Sequence, residues 1–167
     1  MQITAAMVKE LRERTGSGMM ECKKALVEVD GDIEVAVENL RKSGMAKADK
    51  KSGRIAAEGF IAIAVNDAGT EAAIVEVNCE TDFVSGGDDF RGFCASVAEC
   101  VLAHAPADVD ALVEMPIAEG SDDTIDHVRR GMIAKIGENI QVRRFERVTG
   151  EKLGIYKHGV TIGVVAA

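Results

Sequence analysis

The sequence predicts an α+β protein, a small helical bundle followed by a mixed core, and two observations carry that reading. Apolar residues recur at helical spacing through residues 4–43, then switch to two-fold alternation from Phe60, after which helical and strand patterns interleave. Short glycine- and asparagine-containing turns separate the segments. A chain of 167 residues allows one or two domains and buries roughly 70% of the surface its unfolded state exposes. Hydrophobic content of 47% with 29% charged residues is that of a globular protein. No apolar run approaches the ~20 residues of a membrane-spanning helix, and the N-terminus lacks the basic-then-apolar pattern of a signal peptide. The chain therefore reads as cytoplasmic, with no membrane partner.

Thr4 is a good cap for a first helix over residues 4–14, with Met7, Val8 and Leu11 on its apolar side. Thr15-Gly16-Ser17-Gly18 stops it, Gly16 suiting the left-handed position after a helix. A second helix carries Cys22, Ala25, Leu26 and Val29 at i, i+3, i+4, i+7, and Asp30-Gly31-Asp32 turns the chain and caps a third. The third repeats the spacing with Ile33, Ala36, Val37 and Leu40, and Ser43-Gly44 reads as its end. Residues 1–45 thus form a three-helix domain, marginal alone because so short a chain buries little apolar surface. Residues 46–55 contain Lys47, Lys50, Lys51 and Arg54 and read as a basic linker, solvated or a frayed helical extension.

The core begins at residue 56. Phe60–Val65 is a strand, Asn66-Asp67-Ala68-Gly69 a hairpin turn, and Ala72–Cys79 the returning strand. A helix with Phe90, Phe93, Cys94, Val97 and Val101 on one face reaches His104 and breaks at Pro106. A short helix over 108–115 and an acidic connector over 116–123 follow. Thr124 then caps a helix bearing Ile125, Val128, Met132 and Ile136. Residues 140–145, 153–157 and 160–166 read as strands. The chain stops within the last apolar run, an edge open to pairing, and reads as part of something longer.

Between the second strand and the following helix lies Glu76-Val77-Asn78-Cys79-Glu80-Thr81-Asp82-Phe83-Val84-Ser85-Gly86-Gly87. An acid and an aromatic at a loop tip stabilise a monomer poorly. Burying the ring against a partner contributes roughly 1.5–3 kcal/mol, and such anchors dominate many interfaces. The charge distribution restricts that partner. Residues 55–128 hold one basic residue, Arg91, against 16 acidic ones, whereas residues 1–54 and 129–167 carry net charges of +2 and +5. A middle third this acidic repels a phosphate backbone, so any nucleic acid would be bound by the ends, and no direct nucleic-acid partner is expected.

Catalytic constellations are missing. His104, His127 and His158 lack metal-ligand spacing, and no Walker-type, G-x-S-x-G or G-x-G-x-x-G motif occurs. Asp88-Asp89 and Asp122-Asp123 have no EF-hand spacing. Cys22, Cys79, Cys94 and Cys100 show no CxxC pattern and read as small buried hydrophobes. Cys79 is the nearest thing to a nucleophile, but its neighbours Glu80 and Asp82 would raise its pKa. No enzyme activity, metal or cofactor is expected. Met19 and Met20 follow a Gly-x-Gly turn and cannot both point into so small a bundle. Either one is core and one exposed, or both form an adaptable thioether patch for a partner helix. A likeness to ubiquitin-associated bundles, which expose this turn, favours the patch.

Several segments together resemble one family. Residues Ile3-Thr4 and Val8–Leu26, with Arg14-Thr15-Gly16-Ser17-Gly18-Met19-Met20 at their centre, are similar to bacterial translation elongation factor Ts. So are Glu76–Val84, Lys135-Ile136-Gly137-Glu138-Asn139-Ile140, and Tyr156-Lys157-His158-Gly159 with Ile162-Gly163-Val164. The resemblance covers essentially the whole chain and implies a guanine-nucleotide exchange factor for elongation factor Tu. It implies an N-terminal domain like the ubiquitin-associated fold, a first core half over 56–139, and only the opening strands of a second half over 140–167. The remainder of the family's core is missing, along with the coiled coil that often serves dimerisation; a homodimer is possible in the family and stays open here. The resemblance places Thr81, Asp82, Phe83 and Val84 at the partner's Mg²⁺ and nucleotide site. It places Arg12, Met19 and Met20 on a partner helix, and His158 on a second partner domain. The alternative reading is a protein- or RNA-binding bundle with a passive core; a thiol enzyme at Cys79 is a third.

Overall fold

The structure, a computed structural model, describes residues 2–167. Its class is α+β, and the residues divide into two compact units. One contains residues up to Ser52 together with Arg130–Gly137; the other contains Gly53–Arg129 and Glu138–Ala167.

In the first unit, α1 (Ala5–Thr15), α2 (Met19–Glu28) and α3 (Ile33–Lys51) follow one another through tight turns. Thr4 caps α1 by accepting from the Met7 N–H at 3.3 Å, and Gly16 closes it in the left-handed region at φ 69°. Asp32 caps α3, accepting from the Val35 N–H at 3.1 Å. Each helix has an apolar side, and these meet in one core of Val8, Leu11, Cys22, Ala25, Leu26, Ala36, Val37 and Leu40.

The expected end of the third helix at Ser43-Gly44 is corrected: α3 runs on to Lys51. Glycine in a helix interior costs ~1 kcal/mol relative to alanine, yet Met45, Ala46, Lys47 and Ala48 after it are good helix formers. Long-range contacts add to this. Ala134 packs where a Cβ on Gly44 would stand at 3.2 Å, and Arg130 pairs with Asp49 at 2.6 Å. Lys51 Nζ donates to the Gly137 carbonyl at 2.9 Å. Residues 46–51 are therefore helical, with Ala48 buried and Ala46, Lys47, Asp49 and Lys50 exposed, and only 52–57 are irregular.

In the second unit, β1 (Glu58–Val65), β2 (Glu71–Cys79) and β3 (Gln141–Thr149) form an antiparallel sheet in the order β1-β2-β3. The β1–β2 turn is held by Asn66, whose side-chain oxygen accepts from the N–H groups of Thr70 and Glu71. Between β2 and β3 the chain forms α4 (Asp82–Ser85), α5 (Asp88–His104), α6 (Val109–Val113) and α7 (Ile125–Ile136). α5 packs on β1 and β2, where alternation buries Ala62, Ala64, Val75, Val77 and Cys79 alongside its Phe90, Phe93, Cys94 and Val97. Cys100, on another side of α5, is buried beside Met115 at 3.9 Å. All four cysteines are free and buried, as expected of small hydrophobes. β4 (Gly154–His158) and β5 (Ile162–Ala166) make a separate two-stranded ribbon. The ribbon is tied to β1 by the Ile61 N–H donating to Val160 O at 2.8 Å. A Cβ on Gly163 would stand only 2.6 Å from the Ile61 side chain.

Candidate partner-binding site

The segment after β2 is not an open loop but a single helical turn, a correction to the sequence reading. Gly86 and Gly87 close α4 by donating to the carbonyls of Asp82 and Val84 at 2.9 and 3.0 Å. Successive residues on a helix point about 100° apart, so four residues divide into an inner and an outer pair. Ser85 is buried and Val84 half-buried. Asp82 and Phe83 face outward, and the Phe83 ring is 89% exposed, more than any other large apolar side chain among the described residues. Arg91, the one cation of residues 55–128, is engaged nearby: its Nε donates to Ser85 O at 3.1 Å and its guanidinium lies 5.4 Å from the Phe60 ring centre.

Thr81 precedes the turn with extended backbone, φ −126° and ψ 156°, but its hydroxyl does not cap the helix. Both of its donors go to one carboxylate instead. The N–H reaches Glu138 Oε1 at 3.0 Å and the hydroxyl reaches Oε2 at 2.8 Å. Glu80, beside it, accepts from the Asn139 N–H at 2.7 Å and pairs with Arg54 at 2.9 Å. Asn139 is buried, donating through Nδ2 to Arg54 O at 2.7 Å and accepting from Gln141 at 2.8 Å. Glu80, Glu138 and Asn139 were not singled out for this role from sequence. The available signal was a Glu-Asn pair set between an apolar helix and an apolar strand, where a polar side chain must be satisfied if buried.

Cys79 ends β2 under this corner and donates to Thr81 O at 3.3 Å. Burial, then the Glu138 charge, push its thiol up to about 11, so almost no thiolate exists at neutral pH. That removes the physical basis of a thiol enzyme at this position. Among the described residues no group of three His, Cys, Asp or Glu is placed to hold a metal ion.

The other expected contact residues lie elsewhere. Arg12 is exposed on α1. Met19 and Met20 open α2 at 55% and 77% exposure. The arrangement with one methionine in the core does not occur; Cys22, Ala25 and Leu26 fill that side. His158 ends β4, its ring stacked on Tyr156 with centroids 6.4 Å apart, and the Tyr156 hydroxyl 3.4 Å from Nδ1.

The clasped corner and everything after it, residues 80–167, match the sequence model of one family, described as Elongation factor TS. The chain belongs to the elongation factor Ts family. Elongation factor Ts of Thioalkalivibrio sulfidiphilus is 59% identical over 98% of this chain, and that of Hydrogenovibrio crunogenus 61% over 100%. The match covers 56% of each of those relatives. Elongation factor Ts of Arthrospira platensis is 57% identical over 99% of this chain and 66% of its own length. The chain thus spans little more than half the length of most elongation factor Ts relatives named here. Among the described residues no helix is long and apolar enough to cross a membrane.

Proposed function

We propose that this chain is a guanine-nucleotide exchange factor acting on elongation factor Tu. In this reading it binds the GDP form and promotes GDP release by disturbing the Mg²⁺ and phosphate site, after which GTP enters. The observation that carries the reading is Phe83, an exposed ring on a turn braced at both ends. An exchange factor works by linkage: binding the nucleotide-free partner more tightly weakens nucleotide affinity by the same factor. Inserting Asp82-Phe83 beside the nucleotide site would disturb groups that hold Mg²⁺, and losing an ion that bridges phosphate oxygens removes much of the grip on the nucleotide. Thr81 and Val84 set the pair's position. Arg12, Met19 and Met20 would anchor the bundle on a partner helix, and His158 would meet a second partner domain. Residues 56–139 act as the first core half and 140–167 as the opening of the second. The chain makes and breaks no bonds, and it acts in the cytoplasm beside its partner.

The test is GDP release from elongation factor Tu, followed by stopped flow with a fluorescent GDP. Phe83→Ala should slow stimulated release roughly tenfold or more, as expected for a central interface anchor. It should change unfolding free energy by no more than about 0.5 kcal/mol, because the ring is exposed. Unchanged release sinks the reading. The exposed Met19 and Met20 favour a second reading, the bundle as a binding module in its own right with the core passive. That reading gains if Met19→Ser with Met20→Ser abolishes partner binding while Phe83→Ala leaves release untouched.

A further inference from the structure

α4 is one turn long, and a single turn has no stability of its own. The direction in which Phe83 points is therefore set by what holds the turn's two ends. At one end Gly86 and Gly87 lead directly into α5, which is fixed on the sheet by Phe90 and Phe93. At the other end two dipeptides, Glu80-Thr81 and Glu138-Asn139, grip each other reciprocally. Each glutamate accepts from the backbone N–H of the residue that follows the other glutamate, at 3.0 and 2.7 Å. The Thr81 hydroxyl adds a third bond to Glu138 at 2.8 Å. The Thr81 and Asn139 N–H groups both lie just outside strands, and the carboxylates accept from them there.

We propose that Glu138 is a positioning residue for Phe83, acting through Thr81. The inference rests on the exchange-factor reading above and deepens it: the part of the site that touches the partner is held in its binding direction by a carboxylate far away in sequence. Hydrogen bonds to a charged acceptor are stronger than neutral ones, and an ordered anchor gains affinity by losing less freedom on binding. Without the clasp the turn samples other directions, and the ring arrives at the partner correctly aimed only part of the time.

The experiment is a double-mutant cycle on the full chain, read by stimulated GDP release from elongation factor Tu and by amide hydrogen exchange at Thr81–Ser85. Glu138→Gln keeps the shape but turns one acceptor oxygen into a donor facing Thr81. It should reduce stimulated release roughly tenfold and speed exchange of the Thr81 amide by a similar factor. Thr81→Val removes only the hydroxyl and should have a smaller effect in the same direction. In a Phe83→Ala background neither substitution should slow release further, because there is no ring left to aim. Equal effects in both backgrounds would mean that Glu138 serves only general stability and would overturn the inference. If Phe83→Ala slows release while Glu138→Gln does not, the inference alone fails; if Phe83→Ala has no effect, the exchange-factor mechanism fails and the inference with it. Should Glu138→Gln fail to fold, Thr81→Val in the same cycle decides the matter.

Discussion

Phe83 and Phe90 lie seven residues apart, one 89% exposed and the other 1% exposed. Their neighbours explain the difference. Phe90 belongs to a run with Phe93, Cys94 and Val97 at helical spacing and shares its burial with the sheet, whereas Phe83 has Asp82 before it and glycines soon after, so its one turn offers no apolar stripe to join. This much could be read from residue order. The fate of Cys79 could be read only in part: adjacent acids pointed to a raised pKa, but the larger cause is burial, and the acids that add to it are Glu138 and, more weakly, Glu58, not Glu80 or Asp82. A thiol raised from 9.0 to about 11 on folding has a definite consequence for stability. Below pH 9 folded and unfolded chains both hold the proton and the contribution is fully present. Between pH 9 and 11 the unfolded chain gives up its proton while the folded chain keeps it, so stability falls as pH rises through that window. Cys94, pushed up to about 12 chiefly by burial, extends the loss in the same direction. Urea midpoints measured from pH 8 to 10.5 should decline, and Cys79→Ala, whatever its cost at pH 8, should decline less steeply. A Cys79→Ala slope equal to that of the parent would show that this thiol is not a source of the loss.

At the scale of elements, the β1–β2 hairpin and the α5 stripe follow from periodicity because their partners are near in sequence or one-sided in pattern. Boundaries decided by distant groups were less legible. Ser43-Gly44 has the local chemistry of a helix end, and α3 ignores it because Ala134, Arg130 and Gly137 support the following turns. Likewise Gly86-Gly87 marks an irregular segment, but nothing local announces that Thr81 will be gripped by Glu138. The sheet shows a further constraint that periodicity does not reveal. Gly59 sits opposite Asn78 at the start of β1, and a Cβ there would stand 2.4 Å from the Val77 carbonyl oxygen and 2.9 Å from the Asn78 amide nitrogen. These are backbone and pinned side-chain atoms, so the strand itself must shift. Gly59→Ala should cost about 1–3 kcal/mol, the range for overfilling a packed site, read as a lower urea midpoint with unchanged slope. Because Val77 and Asn78 lead into Cys79 and the clasp, the same variant should also speed amide exchange at Thr81. A variant as stable as the parent would mean that β1 can slide at that end without consequence.

At the scale of the molecule, the sequence divides at the basic stretch after residue 45, but the three-dimensional grouping does not follow chain order. The unit built on α1–α3 also contains Arg130–Gly137, and the contacts in question span 81 residues for Arg130 to Asp49 and 86 for Lys51 to Gly137. Sequence periodicity is blind to such pairs, since the apolar positions of α7 show only that the helix has a buried side, not what covers it. The consequence bears on any attempt to divide the protein. A fragment of residues 1–54 keeps the core of Val8, Leu11, Leu26 and Leu40 but loses the cover on Gly44 and the partners of Asp49 and Lys51. With that support gone, Gly44 costs its full ~1 kcal/mol and the turns after it face solvent. The fragment should fold as three helices, with amides 46–51 exchanging at least tenfold faster than in the full chain and a lower denaturation midpoint. Adding a peptide of residues 124–140 should restore part of that protection. If amides 46–51 are equally protected in the bare fragment, the extension of α3 stands on its own propensity, and the bundle is a self-sufficient module of the kind the alternative reading requires.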